Sequence, residues 1–281
     1  MQIINTVEGL YKTLNQQISS LGLVPTMGAL HQGHLSLIER AIHENTTVVV
    51  SIYVNPTQFD QKEDLNKYPK TLEADLNLLA TISNDLIVFT PPNEAIYPEG
   101  LKSKKYNFGS LTEYMEGAAR PGHFNGVATV VEILFKLIKP HKAYFGEKDF
   151  QQLQIINALT HQLNMDIEVI ACPIQRTADG LAMSSRNRLL TSEQKKEAAQ
   201  IYQTMCFLIK KIEQWSINRI ENYFKTKIEA IEGFKVDYFA IAATVDLIPV
   251  KSIDTKCNYR LFTAVYIGDI RLIDTLELPR K

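Results

Sequence analysis

A chain of 281 residues with 45% hydrophobic and 22% charged side chains has an ordinary globular composition, which excludes disordered and collagen-like architectures and allows one large domain or two unequal ones. The formal net charge of −1 carries no nucleic-acid footprint, and no stretch approaches the roughly 18 uninterrupted apolar residues of a membrane span. Three scattered cysteines (Cys172, Cys206, Cys257) argue against a disulfide framework or a CxxC metal site, and the N-terminus lacks a basic segment followed by an apolar run. The expectation is a cytoplasmic protein with neither nucleic-acid nor membrane partners.

In chain order, the apolar run 21–24 reads as a strand stopped by Pro25. Leu35, Leu37, Ile38, Ala41 and Ile42 then recur at helical spacing. The β-branched run 47–54 has the pattern of a strand buried on both faces, ended by Asn55-Pro56. A polar loop follows, then a helix over 71–82, a buried strand over 86–89, and a Gly-, Pro- and Tyr-rich region, 93–124, expected as long loops. Helix 127–138, strand 143–145, helix 149–163 and strand 167–171 continue the alternation. Strand–helix alternation of this kind specifies an α/β, doubly wound parallel sheet. After about residue 174 the pattern changes to helices over 191–215 and 217–231, then strands near 236–241, 263–267 and 271–273, expected as a small antiparallel sheet in a second α+β domain.

Seven stretches place polar side chains or glycine where strands should end. They are Pro25 to His34, Asn55 to Phe59, Tyr68 to Thr71 with Asp75 following, Arg120 to Phe124, Phe145 to Asp149, Gln151-Gln152, and Asp179 to Asn187. In an open α/β sheet, loops beyond the strands' carboxyl ends share one crevice, so distant segments can meet there. Singly, each has an ordinary reading as a cap, a turn or a solvated pair. Zinc ligation by His31 and His34 lacks a third ligand, and Cys172 reads as a buried small residue. Jointly they suit phosphate: Lys148, Arg186 and the imidazoles supply positive charge, Ser184 and Ser185 supply hydroxyls, and Gly28, Gly33 and Gly146 admit close backbone approach. Neither GxxxxGK[ST] nor GxGxxG occurs, which directs attention to chemistry at an α-phosphate.

The segments PTMGALHQGH, NPTQF, YPKT, RPGHF, FGEKDFQQL and DGLAMSSRNRLL occur in this order, and together they resemble the pantoate–β-alanine ligase family over most of the chain. The first resembles the HxGH signature shared with class I aminoacyl-tRNA synthetases and nucleotidylyltransferases. The resemblance implies a two-step ligase. Pantoate attacks the α-phosphate of Mg-ATP to give pantoyl adenylate and pyrophosphate, and the amine of β-alanine then displaces AMP. It places Met27, Gly28, Ala29, Leu30, His31, Gln32, Gly33 and His34 along ATP, with His34 as the catalytic histidine. Gly146, Glu147, Lys148 and Asp149 match the ribose- and phosphate-binding segment, and Gln175 an adenine contact made through backbone. Met183, Ser184, Ser185 and Arg186 match a mobile loop that closes on ATP.

Gln58 and Gln152 match the family's pantoate-binding glutamines, Asn55 and Arg120 the same pocket, and Asp75 an acidic position near the Mg²⁺. A Rossmann-like N-terminal domain (1–174), a smaller C-terminal lid (175–281) and a homodimer are also implied. Gln175 and Thr177 replace an expected valine and glutamate, and the second change leaves open how Arg176 is held. A nucleotidylyltransferase of the same superfamily and a non-catalytic nucleotide-binding module are the alternatives.

Overall fold

The structure, a computed structural model, describes residues 1–15, 18–60, 62–254 and 256–279. The chain divides into two compact units. The first comprises Met1–Phe108, Arg120–Glu147 and Gln152–Pro173; the second comprises Gly109–Ala119, Lys148–Gln151 and Ile174–Lys281.

In the first unit the chain runs β1 (Gln2–Ile4), α1 (Val7–Leu14), β2 (Leu21–Thr26), α2 (Gln32–Glu44), β3 (Thr47–Ile52), α3 (Lys62–Lys67), α4 (Leu72–Ala80), β4 (Ile87–Phe89) and α5 (Asn93–Ile96). After α6 (Glu116–Ala119), which belongs to the second unit, come α7 (His123–Ile138), β5 (Lys142–Gly146), α8 (Phe150–Gln162) and β6 (Glu168–Cys172). The strands form a parallel sheet in the order β1-β4-β3-β2-β5-β6, flanked by helices. The order reverses direction between β2 and β5, the kind of switch point at whose carboxyl-end side open α/β sheets bind ligands. The core between sheet and helices is built by Val24, Leu30, Ile38, Val50, Leu79, Val88 and Tyr144, all buried.

Several elements differ from the sequence expectation. Strand β2 continues through Pro25 to Thr26: pairing with β5 ends at Leu23, and Pro25 pairs only with Ser51 of β3, so its missing N–H breaks no two-sided ladder. The 93–124 region holds short helices, and α7 begins at His123 rather than 127, after Gly122 at φ +83°. The stretch before it is fastened to α7. Backbone N–H groups of Lys104 and Tyr106 donate to Thr129 and Asn125, while the Lys104 ammonium and Tyr106 hydroxyl reach Glu132.

In the second unit, β7 (Phe234–Ala243), β8 (Tyr259–Ile267) and β9 (Ile270–Glu277) form the expected antiparallel sheet, after α9 (Ser192–Ile209) and α10 (Ile217–Glu229). Nearly every residue of β8 is buried, so both faces must be covered. Met205, Leu208, Ile220, Phe224 and Ile228 pack with one set of sheet residues, including Ile241, Leu261 and Val265. Leu111, Tyr114, Met115 and Phe150 pack with the other, Ala240, Ala242 and Phe262. That second layer explains why 109–119 and 148–151 cluster with the C-terminal residues. Buried charge fastens it further: Arg271 forks onto Glu116 at 2.7 and 2.9 Å and also bonds Asp237, and the Tyr238 hydroxyl donates to Glu116. No described helix is long and apolar enough to cross a membrane.

Two carboxylates make the first unit sensitive to acid. Burial tends to raise the Glu132 pKa, but Lys104, Lys136 and Tyr106 outweigh it and bring the group from 4.5 to about 2. Arg40, then Lys142, bring Glu44 down to about 2 as well. Both folded pKa values lie below the unfolded ones, so this stabilisation is complete above about pH 4.5 and is lost as pH falls toward about 2. Thermal unfolding measured between pH 6 and pH 3 is expected to show a falling Tm, and Glu132→Gln to flatten the fall; an equally steep fall in the variant would remove Glu132 from the account.

Candidate active site

The turn after β2 is held in a conformation that side chains disfavour. Gly28 and Ala29 both have positive φ (+76° and +50°), and a Cβ at Gly28 would lie 3.0 Å from the Asp75 carboxylate and 3.1 Å from Ile52. Asp75 on α4 holds the turn from inside. Its Oδ2 accepts from Ala29 N–H at 2.9 Å, and its Oδ1 accepts from Leu30 N–H at 2.8 Å and from the Thr71 hydroxyl. The YPKT segment thereby supplies the hydroxyl that steadies this carboxylate.

The two histidines then start α2. His31 is the N-cap residue, its Nδ1 accepting from Gly33 N–H, while His34 Nδ1 accepts from His31 N–H. The rings lie 4.1 Å apart. An Nδ1 that accepts has no proton, so each neutral ring carries its hydrogen on Nε2 and is a donor there. With the positive end of a thirteen-residue helix behind them, these donors suit an anion.

After β3, Asn55 is buried and fully engaged. Its Nδ2 donates to Gln58 Oε1 (3.0 Å) and to Gly126 O, and its Oδ1 accepts from the Tyr97 hydroxyl (2.7 Å). Gln58 Nε2 consequently faces Met27 Sδ at 3.2 Å, which brings Met27, Asn55 and Gln58 together. Helix α7 packs closely here: a Cβ on Gly126 would lie 2.4 Å from the Thr57 carbonyl. From the start of α7, His123 Nδ1–H donates to the Gln58 carbonyl at 2.8 Å, and its Nε2 accepts from Arg120. Arg120 Nη2 also donates to the same carbonyl. His123 therefore holds the tautomer opposite to that of His31 and His34. The 120–124 stretch contained it, and the three-residue spacing from Arg120 at a helix start was the signal for its role.

Gly146 ends β5, beside β2 at the switch point, and Glu147, Lys148 and Asp149 form a single 3-10 turn. In that turn Lys148 Nζ lies 3.3 Å from Asp149 Oδ1. The adjacent glutamines differ. Gln151 is buried and engaged at both ends of its amide, accepting from Glu116 N–H and donating to the carbonyls of Leu111 and Tyr114. The Gln152 side chain makes no hydrogen bond among the described residues. Sequence reasoning singled out the pair, and the structure separates a holder from a group with hydrogen-bonding capacity left.

In the second unit, Gln175 and Met183 close a short hairpin, with Met183 N–H donating to the Gln175 carbonyl at 2.9 Å. Ser184 Oγ accepts from Arg186 N–H and caps the turn that contains Arg186 and the buried Ser185. Thr177 stands where the resemblance expects a glutamate, and its hydroxyl accepts from Leu181 N–H.

Among the described residues no group of three or more His, Cys, Asp or Glu side chains is placed to hold a metal ion. Asp75, expected near magnesium, is buried with both oxygens facing turn amides, which does not fit direct ligation.

The family model described as Pantoate-beta-alanine ligase matches residues 2–277. The chain belongs to this family. It is 48% identical to the pantothenate synthetase of Azobacteroides pseudotrichonymphae genomovar. CFP2, over 98% of this chain and 99% of that one. Its fold is similar to the crystal structure of pantothenate synthetase from Thermus thermophilus, with a TM-score of 0.91, 40% identity and 99% of each chain covered. It is also similar to the pantoate-beta-alanine ligase of Francisella tularensis complexed with beta-gamma ATP and beta-alanine, with a TM-score of 0.83, 36% identity, and 99% and 97% coverage. Members of this family are enzymes that join a carboxylic acid to an amine.

Asp75→Ala is expected to leave the amides of Ala29 and Leu30 without this acceptor and to lower stability by about 1–3 kcal/mol. Urea unfolding checks this; a midpoint equal to wild type would mean the turn holds itself.

Proposed function

We infer that this chain condenses pantoate with β-alanine at the expense of ATP, giving pantothenate, AMP and pyrophosphate through an enzyme-bound pantoyl adenylate. The observation that carries this reading is the pair of Nε2–H imidazole donors at the start of α2, on a turn fastened by Asp75, in a chain matching the ligase family from residue 2 to 277.

A carboxylate must gain a leaving group before an amine can displace it. In the first step a pantoate carboxylate oxygen bonds the α-phosphorus, and the bond to the bridging oxygen breaks, releasing pyrophosphate. In the second, the β-alanine nitrogen bonds the acyl carbon, AMP leaves with the bonding pair, and the amine loses its proton. The adenylate supplies the leaving group, so the route needs no protein nucleophile. Both steps shift negative charge on phosphate oxygens, which preorganised donors stabilise more than water does.

His34 and His31 are assigned to the phosphates, with Met27 to Gly33 along the nucleotide. Gly146 to Asp149 are assigned to ribose and phosphate, Gln175 to the adenine side, and Met183, Ser184, Ser185 and Arg186 to ATP as one segment. Magnesium is assigned to the nucleotide as MgATP, and Asp75 serves it only by holding the turn. Gln58 and Gln152 are assigned to pantoate. The amide of Gln152 has bonding capacity to offer, and Gln58 is aimed by Asn55 on one side and by Arg120 with His123 on the other. The family resemblance further supports a cytoplasmic homodimer whose partners are its small-molecule substrates.

Incubation with ATP, Mg²⁺, pantoate and β-alanine is expected to yield AMP and pyrophosphate in equal amounts with pantothenate. ADP and phosphate would overturn the adenylate route, and a dinucleotide-like product would point to nucleotidyl transfer. His34→Ala is expected to slow adenylate formation at least about 100-fold, the usual cost of one such donor, with an unchanged circular dichroism spectrum. A near-wild-type rate would remove His34 from the mechanism.

A further inference from the structure

The hairpin that precedes the serine–arginine turn is anchored by one side chain the ligase reading has not used. Arg176 Nη1 donates to Asp274 Oδ2 at 2.6 Å and to the Gly180 carbonyl at 3.1 Å. Its Nη2 donates to Asp274 Oδ1 at 2.8 Å and to the Thr275 carbonyl at 3.3 Å. The guanidinium carbon sits 3.9 Å from the centre of the Tyr202 ring on α9. The ion pair is largely buried, with 14% and 5% of the two side chains exposed.

The guanidinium thus links three elements, β9, α9 and the hairpin tip. The hairpin is closed by the Arg176–Ala182 bridge and by Thr177 N–H donating to the Leu181 carbonyl. Its tip requires glycine: Gly180 has φ +101°, and a Cβ there would lie 2.4 Å from Tyr202. Just beyond it, Asn187 Nδ2 donates to the Ala182 carbonyl and ties the turn that follows to the same hairpin. The backbone that carries Met183, Ser184 and Arg186 therefore takes its position from Arg176.

We propose that Arg176 is a positioning residue for nucleotide binding, setting the placement of the Met183–Arg186 segment through its fork onto Asp274 and its stack on Tyr202. The proposal rests on the assignment of that segment to ATP. Lysine cannot reproduce a planar bidentate, stacked contact. Arg176→Lys is therefore expected to raise the KM for ATP roughly 10-fold, with kcat at saturating ATP and the KM values for pantoate and β-alanine within about two-fold of wild type. Hydrogen exchange is expected to speed up at the amides of Thr177, Leu181 and Met183. Tyr202→Leu, which keeps the ion pair and removes the stack, should shift the same quantities in the same direction and serves if the lysine variant does not fold.

A purely structural clamp gives a different result: a uniform loss across all three substrates that follows the fall in Tm, and this overturns the proposal. An unchanged KM for ATP, with or without a loosened hairpin, overturns it too. Arg186→Ala is measured alongside. If that variant leaves the KM for ATP unchanged, the assignment of the segment to ATP fails and takes the proposal with it. If it raises that KM while Arg176→Lys does not, only the role of Arg176 fails.

Discussion

The first unit's candidate site depends on one carboxylate. Asp75 accepts from two consecutive amides, Ala29 and Leu30, across a turn whose backbone enters left-handed territory at Gly28 and at Ala29. A buried turn of this kind has amides that helix and sheet cannot satisfy, and each would be costly if unpaired. By satisfying them from below, Asp75 lets the chain leave β2 and enter α2 within a few residues. Where His31 and His34 stand is a consequence of that short path.

Hydrogen bonding also decides what three of this unit's imidazoles, those of His31, His34 and His123, can do. His31 and His34 accept at Nδ1 from the backbone of their own helix start, so their hydrogens lie on Nε2. His123 donates from Nδ1 to the Gln58 carbonyl and accepts at Nε2 from Arg120. The first pair acts as a donor surface at a positive helix end; the third belongs to a bracket that fixes a glutamine. The same side chain serves two purposes because its neighbours choose the tautomer.

Much of this was legible in the sequence. The β-branched run at 47–54 marked β3 (Thr47–Ile52), and the short apolar runs around it marked its neighbours, because strands buried on both faces leave continuous apolar runs that need no partner information. The PTMGALHQGH and NPTQF segments marked the strand ends. What escaped depends on contacts distant in sequence. Strand β1 is three residues long and exists because it pairs with β4, more than eighty residues later. Helix α7 starts early because Gly122 provides a left-handed cap and because Gly126 packs against Thr57. The magnesium expectation for Asp75 met a carboxylate already committed to amides 45 and 46 residues away. How Arg176 is held was open because its partner, Asp274, is 98 residues on.

A physical criterion separates holders from readers in this family's motifs. Asn55 and Gln151 are polar, buried and engaged at both ends of their amides, with both N–H donors of each committed, so a ligand could take a hydrogen bond from them only by breaking what they hold. Gln152 has unspent capacity. Gln58 has one amide oxygen fixed by Asn55 and an NH₂ group facing only a thioether, a weak acceptor, so its donors retain strength for a better partner. Motif membership alone treats Gln151 and Gln152 alike. Counting satisfied donors and acceptors does not, and it predicts opposite consequences: loss of a holder loosens the fold around the site, whereas loss of a reader leaves the fold and removes the grip on a substrate hydroxyl or carboxylate.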